Sequence, residues 1–334
     1  MTRLQQLLTQ YKQILSDYMS NRDEQDLYIG QNFIRQLIIK NVSPEDVINI
    51  HKKAILEIYE DYPETLPHAY DFLTEVMVQF GLKFREHQSL LVKQEEMRIE
   101  MDIATKIQNL LLKTNVPKLE QLEIGMISKP IRKMNGDYVY FLYDEENYLS
   151  VAVTDVVGKG VPAALCMSVV KNGLDTLEFA KNNPSRVLEV LNRIIGKSID
   201  DSMFVSSFYG RYDIRRNIFT YGSAGHEPAI FFRASDETFH DLESKGLLLG
   251  VMQEVKYPQF DIELKDGDFV MIITDGVTEL RNCDVLEARS IIKRTVYSLR
   301  HLPAQEMCER IYFELQRLQD YNIDDDFTIL ILKK

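Results

Sequence analysis

Four apolar stretches of this chain each carry a carboxylate at one end. Asp137 stands in Met134-Asn135-Gly136-Asp137-Tyr138, at the mouth of the run 138–143. Asp155 closes the run 149–154, and Asp275 closes 269–274 and is followed by Gly276. Asp324, Asp325 and Asp326 stand directly before the run 327–332. A carboxylate delivered by a buried run is costly unless something neutralises it. If the four ends meet, like charges that close cannot all stay ionised without a cation. Ligation by carboxylate oxygen alone selects hard ions, Mg²⁺ or Mn²⁺, over zinc.

Taken singly, each motif has a bland reading. Asp275-Gly276 is an ordinary turn dipeptide, and Asp266-Gly267-Asp268 reads as a hairpin turn without chemistry. Gly158-Lys159-Gly160 before a helix resembles a phosphate-cradling loop but lacks the Walker spacing, which excludes a nucleotide triphosphatase of that type. His51 and His68 read as partly buried or surface histidines, and Cys166 as a small apolar residue on a helix. No DxDxDG calcium loop is present, which counts against a calcium-binding scaffold.

The elements that must carry these acids fall into three parts. Residues 1–84 read as helices: Leu4, Leu7, Leu8, Tyr11, Ile14 and Leu15 share one face, and Ser43-Pro44-Glu45-Asp46 is a capped helix start. Residues 85–116 form a helical linker. Its seam Leu90, Gln94, Met97, Met101, Ala104, Gln108, Leu111 has heptad spacing with weak members, and Val92, Ile99, Ile103 and Leu110 lie beside it. One amphipathic helix packed on its own domain and a marginal coiled coil in a homodimer both satisfy that pattern. From residue 117 onward, short β-rich runs alternate with helical patterns at 161–180, 184–197, 287–299 and 304–319. The expectation is an α+β domain whose helices cover packed antiparallel sheets.

Composition narrows the function. The 334 residues carry 45% apolar and 27% charged side chains, enough for a core without disulfide or metal staples. A net charge of −12 argues against nucleic acid and against anionic membrane surfaces as partners. Three scattered cysteines form no zinc or disulfide pattern and suit a reducing, cytoplasmic setting. Neither a signal-peptide core nor an 18-residue apolar window is present.

In order, Asn135-Gly136-Asp137, Asp155-Val156-Val157-Gly158-Lys159-Gly160, Ser223-Ala224-Gly225-His226-Glu227-Pro228, Thr274-Asp275-Gly276-Val277-Thr278-Glu279 and Asp325-Asp326-Phe327-Thr328 resemble the bacterial branch of the metal-dependent serine/threonine phosphatases, the PPM type. The likeness covers about residues 117–332. The helical N-terminal part and linker further resemble the RsbU-type stress-response phosphatases. The resemblance implies a β-sandwich flanked by helices (αββα) with two divalent cations, Mn²⁺ or Mg²⁺, at one end. It implies that Asp155 bridges them, that the Val156 carbonyl ligates one, that Asp137 and Asp275 bind on either side, and that Asp325 is the last ligand. It implies phosphoserine hydrolysis in an anti-anti-sigma factor of the RsbV type, activation of a stress sigma factor, and an RsbT-type activator docking on residues 1–84. The linker is expected to act on the helix at 161–180. Many family members carry a histidine where this chain has Val157, which leaves the leaving-group acid unassigned; His226 and Lys159 receive no catalytic role. The alternatives are a non-catalytic module of the same fold and a calcium-binding signalling scaffold.

Overall fold

The computed structural model describes residues 3–21, 24–39, 42–59, 65–131, 133–144, 147–158, 160–177, 183–198, 203–280, 283–319 and 325–334. Two compact units divide between Ile99 and Glu100.

The first unit is helical, with α1 (Arg3–Asn21), α2 (Glu24–Ile39), α3 (Pro44–Ile58) and the start of α4 (Thr65–Leu111). Ser43 caps α3 as its position before Pro44 predicts, its hydroxyl accepting from the Asp46 amide. Leu7, Phe33, Leu37 and Ile50 form the core. His51 is half-buried and pairs with the Tyr11 hydroxyl at 2.8 Å, a structural histidine. Burial lowers its pKa. The His68 side chain lies outside the described residues.

Helix α4 runs without interruption through residue 84 and ends at Leu111. Its expected seam does not stay on one face of the environment: Leu90 and Met97 are exposed while Gln108 is buried. The neighbouring stripe Val92, Ile99, Ile103 and Leu110 is exposed throughout. Among the described residues, no helix is long and apolar enough to cross a membrane.

The second unit is a four-layer sandwich. One antiparallel sheet has the order β1-β10-β9-β6-β7, the other β2-β3-β4-β5-β8. The strands are β1 (Glu123–Lys129), β2 (Asp137–Tyr143), β3 (Tyr148–Val156), β4 (Val205–Asp213), β5 (Ile218–Ala224), β6 (Ala229–Arg233), β7 (Thr238–Leu242), β8 (Gln259–Glu263), β9 (Phe269–Ile273) and β10 (Phe327–Lys333). Period-two alternation sorts their side chains. Val139, Val151, Val153, Phe208, Val270, Ile272, Leu330 and Leu332 fill the layer between the sheets. Tyr138, Tyr140, Ala152 and Tyr209 face α5 (Val161–Thr176) and α6 (Pro184–Ser198). Met271, Ile273, Ile329 and Ile331 face α8 (Val285–Leu299) and α9 (Ala304–Leu318). A one-turn helix, α7 (Asp275–Thr278), follows β9. The α+β expectation and the αββα layering hold.

Candidate metal centre

The same alternation that builds the inter-sheet core delivers the acids. On β2, Asp137 has the parity of Val139; on β3, Asp155 has that of Val151 and Val153; before β10, Asp326 has that of Thr328, Leu330 and Leu332. The inner layer is therefore apolar along its length and ends in carboxylates. Register places Asp137 directly opposite Asp155, and Ser206 opposite Asp155 on its other side. Asp155 feels the charges of Asp275, Asp325 and Asp326. Four β segments remote in sequence thus bring Asp137, Asp155, Asp275, Asp325 and Asp326 to one end of the sandwich. Asp324 and Lys159 lie outside the described residues.

Each acid is held differently. Asp137 is buried; its amide donates to Asn135 Oδ1 at 2.9 Å and its Oδ2 accepts from Thr274 Oγ1 at 2.8 Å. Asp326 accepts from the Ile131 amide through Oδ1 at 2.8 Å and from the Gly136 amide through Oδ2 at 2.5 Å. Both its oxygens thus hold backbone amides. Asp325 Oδ1 accepts from the Asp326 amide at 2.8 Å, and Asp325 itself is half-buried. Gly276 has no alternative: a Cβ there would lie 2.1 Å from the Asp326 carbonyl oxygen. Beyond β3, Gly158 and Gly160 take φ of 126° and 82°, a turn that glycine permits.

The electrostatics follow from burial among like charges. Burial first, then the Asp155 charge, pushes the Asp137 carboxyl well up, against the opposing hydrogen bonds of Thr328 and Thr274. Burial, then Asp275, Asp325 and Asp326, raises Asp155 to about 7. Strand register sets Asp137 and Asp155 side by side, so the charge of Asp155 raises Asp137. A cluster that takes up a proton near neutrality attracts any positive charge, and its donors are all oxygen, as Mg²⁺ or Mn²⁺ requires. Among the described residues no three acidic, histidine or cysteine groups are close enough to hold one ion as they stand.

His226 stands beside this cluster without entering it. It is buried, its Nδ1 lies 2.8 Å from Ser206 Oγ, and its amide donates to Ser223 Oγ. Burial lowers its pKa to about 4, so the ring is neutral. The sequence motifs contain Asn135, Thr274 and Thr328 but give them no role, and do not single out Ser128; these four are the scaffold of the site. Thr328 donates to Ser128 Oγ, to which Asn135 also donates. Their signal is weak, small polar residues interrupting buried runs next to the acids. Glu227, quoted in a motif without a role, is held by Arg289 at 3.2 Å near Asp275.

Both parts of the chain have known relatives. Residues 145–334 match the family model for stage II sporulation protein E (SpoIIE), and residues 9–83 match that for the N-terminal domain of phosphoserine phosphatase RsbU. Phosphoserine phosphatase RsbU of Bacillus subtilis is 43% identical over 324 residues, covering 97% of this chain and 96% of that protein. Among solved structures, the SiaA PP2C domain of Pseudomonas aeruginosa aligns with a TM-score of 0.62 at 19% identity, over 73% of this chain and 98% of that one. RsbX in complex with magnesium aligns with a TM-score of 0.50 at 19% identity, over 65% and 98%. These two establish the fold.

Proposed function

The chain belongs to the RsbU family of phosphoserine phosphatases, and from that premise we propose that it hydrolyses phosphoserine in an RsbV-type anti-anti-sigma factor with two divalent cations, Mn²⁺ or Mg²⁺. The observation that carries this reading is the meeting of Asp137, Asp155, Asp275 and Asp325 at the end of the inner layer, where burial and like charge raise Asp155 to about 7. Asp155, Asp137, Asp275, Asp325 and the Val156 carbonyl would hold the two cations. Divalent cations held there supply two things, acidification of a water and neutralisation of phosphoryl charge.

The chain's own residues do the remaining work. Thr274 fixes the Asp137 carboxyl, and Asp326 fastens the Gly136 amide so that Asp137 is presented inward. Asp326 is engaged with the Ile131 and Gly136 amides, which favours Asp325 as the ligand of that pair. Val157 is exposed beside the glycine turn and offers no proton. His226 is neutral and turned to Ser206, so leaving-group protonation falls to solvent.

Regulation is assigned to the first unit. Its match to the RsbU N-terminal domain supports an RsbT-type activator as the partner there. The exposed stripe of α4, Val92, Ile99, Ile103 and Leu110, supports a homodimer through that helix. Buried Cys166 and Cys308 among free thiols suit the cytoplasm.

The test is release of phosphate from a phosphoserine-bearing RsbV-type protein by the full chain with Mn²⁺, Mg²⁺, Ca²⁺ or EDTA, with and without an RsbT-type protein. Turnover with Mn²⁺ or Mg²⁺, raised by the partner and lost in EDTA, is expected. Calcium binding with no hydrolysis in any arm would sink the reading.

A further inference from the structure

The loop that presents Asp137 is gripped by a side chain from outside both sheets. We propose that Gln108, near the end of α4, is a positioning residue for the cation site, fixing Asn135-Gly136-Asp137 and thereby setting divalent-cation affinity. This rests on the dimetal reading above.

Gln108 Nε2 donates to the Asn135 carbonyl at 2.8 Å, and its Oε1 accepts from the Asn135 amide at 3.1 Å. One primary amide thus satisfies both backbone groups of one residue, as a neighbouring strand would. Gln108 is 3% exposed, whereas Ile103, Ile107 and Leu110 are 53%, 52% and 76% exposed. The usual preference is inverted here: the helix buries an amide and leaves aliphatic side chains in water. A helix face chosen for packing alone would be turned the other way.

The grip is relayed in one step. Asn135 Oδ1 accepts from the Asp137 amide at 2.9 Å, and its Nδ2 donates to Ser128 Oγ at 3.0 Å. Two further contacts bracket the pair: Lys133 with Asp102 at 2.5 Å, and Thr114 Oγ1 donating to the Val139 carbonyl at 2.7 Å. The first is exposed and contributes little. A cavity of about 260 Å³, lined by Gln108, Leu112, Asn135 and Asp137 among others, lies alongside. The loop therefore has room to shift once the amide pair is cut. Because Asp137 is one of the proposed ligands, a loosened Asp137 weakens ligation. The linker is expected to act on the helix at 161–180; this further contact runs to the loop that precedes β2. Turning α4 about its axis would break both bonds of the pair.

The experiment measures Mn²⁺ binding by calorimetry on the full chain, with Gln108→Ala, Gln108→Met and Asp155→Asn. Both Gln108 variants are expected to bind Mn²⁺ roughly tenfold more weakly, the usual scale for groups that orient metal ligands. Their Asn135 amide should exchange hydrogen faster, and turnover at saturating Mn²⁺ should return to within about threefold of the parent. Met keeps the volume without the hydrogen bonds, so it decides the matter if the Ala variant fails to fold. Parental Mn²⁺ affinity in a folded Gln108 variant, with Asp155→Asn defective, overturns this inference alone. Parental affinity in Asp155→Asn overturns the metal site itself.

Discussion

Strand β9 runs between two aspartates that belong to differently built ends of the same sandwich. At its start, Asp268 is fully buried and accepts from Arg233 Nη1 at 2.6 Å and from the Ala234 and Lys265 amides at 2.8 Å each. At its far end, Asp275 joins Asp137, Asp155, Asp325 and Asp326, whose like charges raise Asp155 and Asp137. Both ends bury carboxylate. One resolves the charge within the chain, with a guanidinium and two amides; the other multiplies it. A buried acid is therefore not by itself a sign of chemistry. The sign of its neighbours is what separates a turn lock from a cation site.

The largest effects should cross between the two ends. Asp155→Asn should cut metal-dependent turnover by about a thousandfold or more. The same change should leave the melting temperature in EDTA equal or higher, because it removes one of several like charges. Asp268→Ala should do the reverse. It strands Arg233 and two buried amides, costing about 3 kcal/mol, while turnover per folded molecule stays near parental. p-Nitrophenyl phosphate hydrolysis with Mn²⁺ and thermal melts in EDTA read both. An Asp155 variant that melts far below the parent, or an Asp268 variant that is folded but inactive, would erase the contrast.

The pH dependence sharpens it. Burial and neighbouring acids raise Asp155 to about 7 and Asp137 also upward, whereas unfolded aspartates ionise near ~3.9. Without metal, the folded protein then holds more protons than the unfolded chain across that interval. The stabilisation is complete below pH ~4 and is lost as pH rises through 7. His226 runs the other way: its pKa falls to about 4, so its contribution is present above pH ~6.5 and lost on acidification. The window above pH 6.5 isolates the carboxylates. In EDTA, the melting temperature should drop from pH 6.5 to 8 by roughly 3 °C, corresponding to about 1 kcal/mol, and Asp155→Asn should flatten that limb. A rise over the same window would refute the shared-charge account.

The acids themselves were legible in the sequence because each closes an apolar run, and alternation then carries them to one layer. Strands β1–β6, β9 and β10 were marked by short β-rich runs, and α5, α6, α8 and α9 by helical periodicity. Strands β7 and β8 were not. TFHDL and QFDIE lie at the sheet edges and are largely exposed, so burial imposes no apolar rhythm on them. The one-turn α7 was hidden inside Asp275-Gly276, which also spells a simple turn. The seam of α4 misled in a different way. Heptad spacing records which residues share a face but not what that face meets, and Gln108 meets the Asn135 backbone. Hydrogen-bonded scaffolding between residues 27 apart leaves no periodic trace.

The smallest expected effect tests the division of labour between two adjacent acids. Asp326 gives both oxygens to backbone amides, Ile131 on one side and Gly136 on the other. Asn in its place can accept only one of the two, and its amide group then faces a second N–H. Losing a hydrogen bond to a charged acceptor costs about 1.5–3 kcal/mol, but the change also removes one negative charge from the surroundings of Asp137 and Asp155. The two terms oppose, so Asp326→Asn should move the EDTA melting temperature by less than the equivalent of about 1 kcal/mol and raise the Mn²⁺ requirement modestly. Asp325→Asn should leave the melt equally undisturbed yet lose most turnover at any Mn²⁺ concentration, as a missing ligand does. If Asp326→Asn were the inactive variant and Asp325→Asn the tolerant one, the ligand would be Asp326. Its two amide bonds would then have to break on metal binding, and the Gly136 turn would be a moving part of the site, where the present geometry makes it a fixed one.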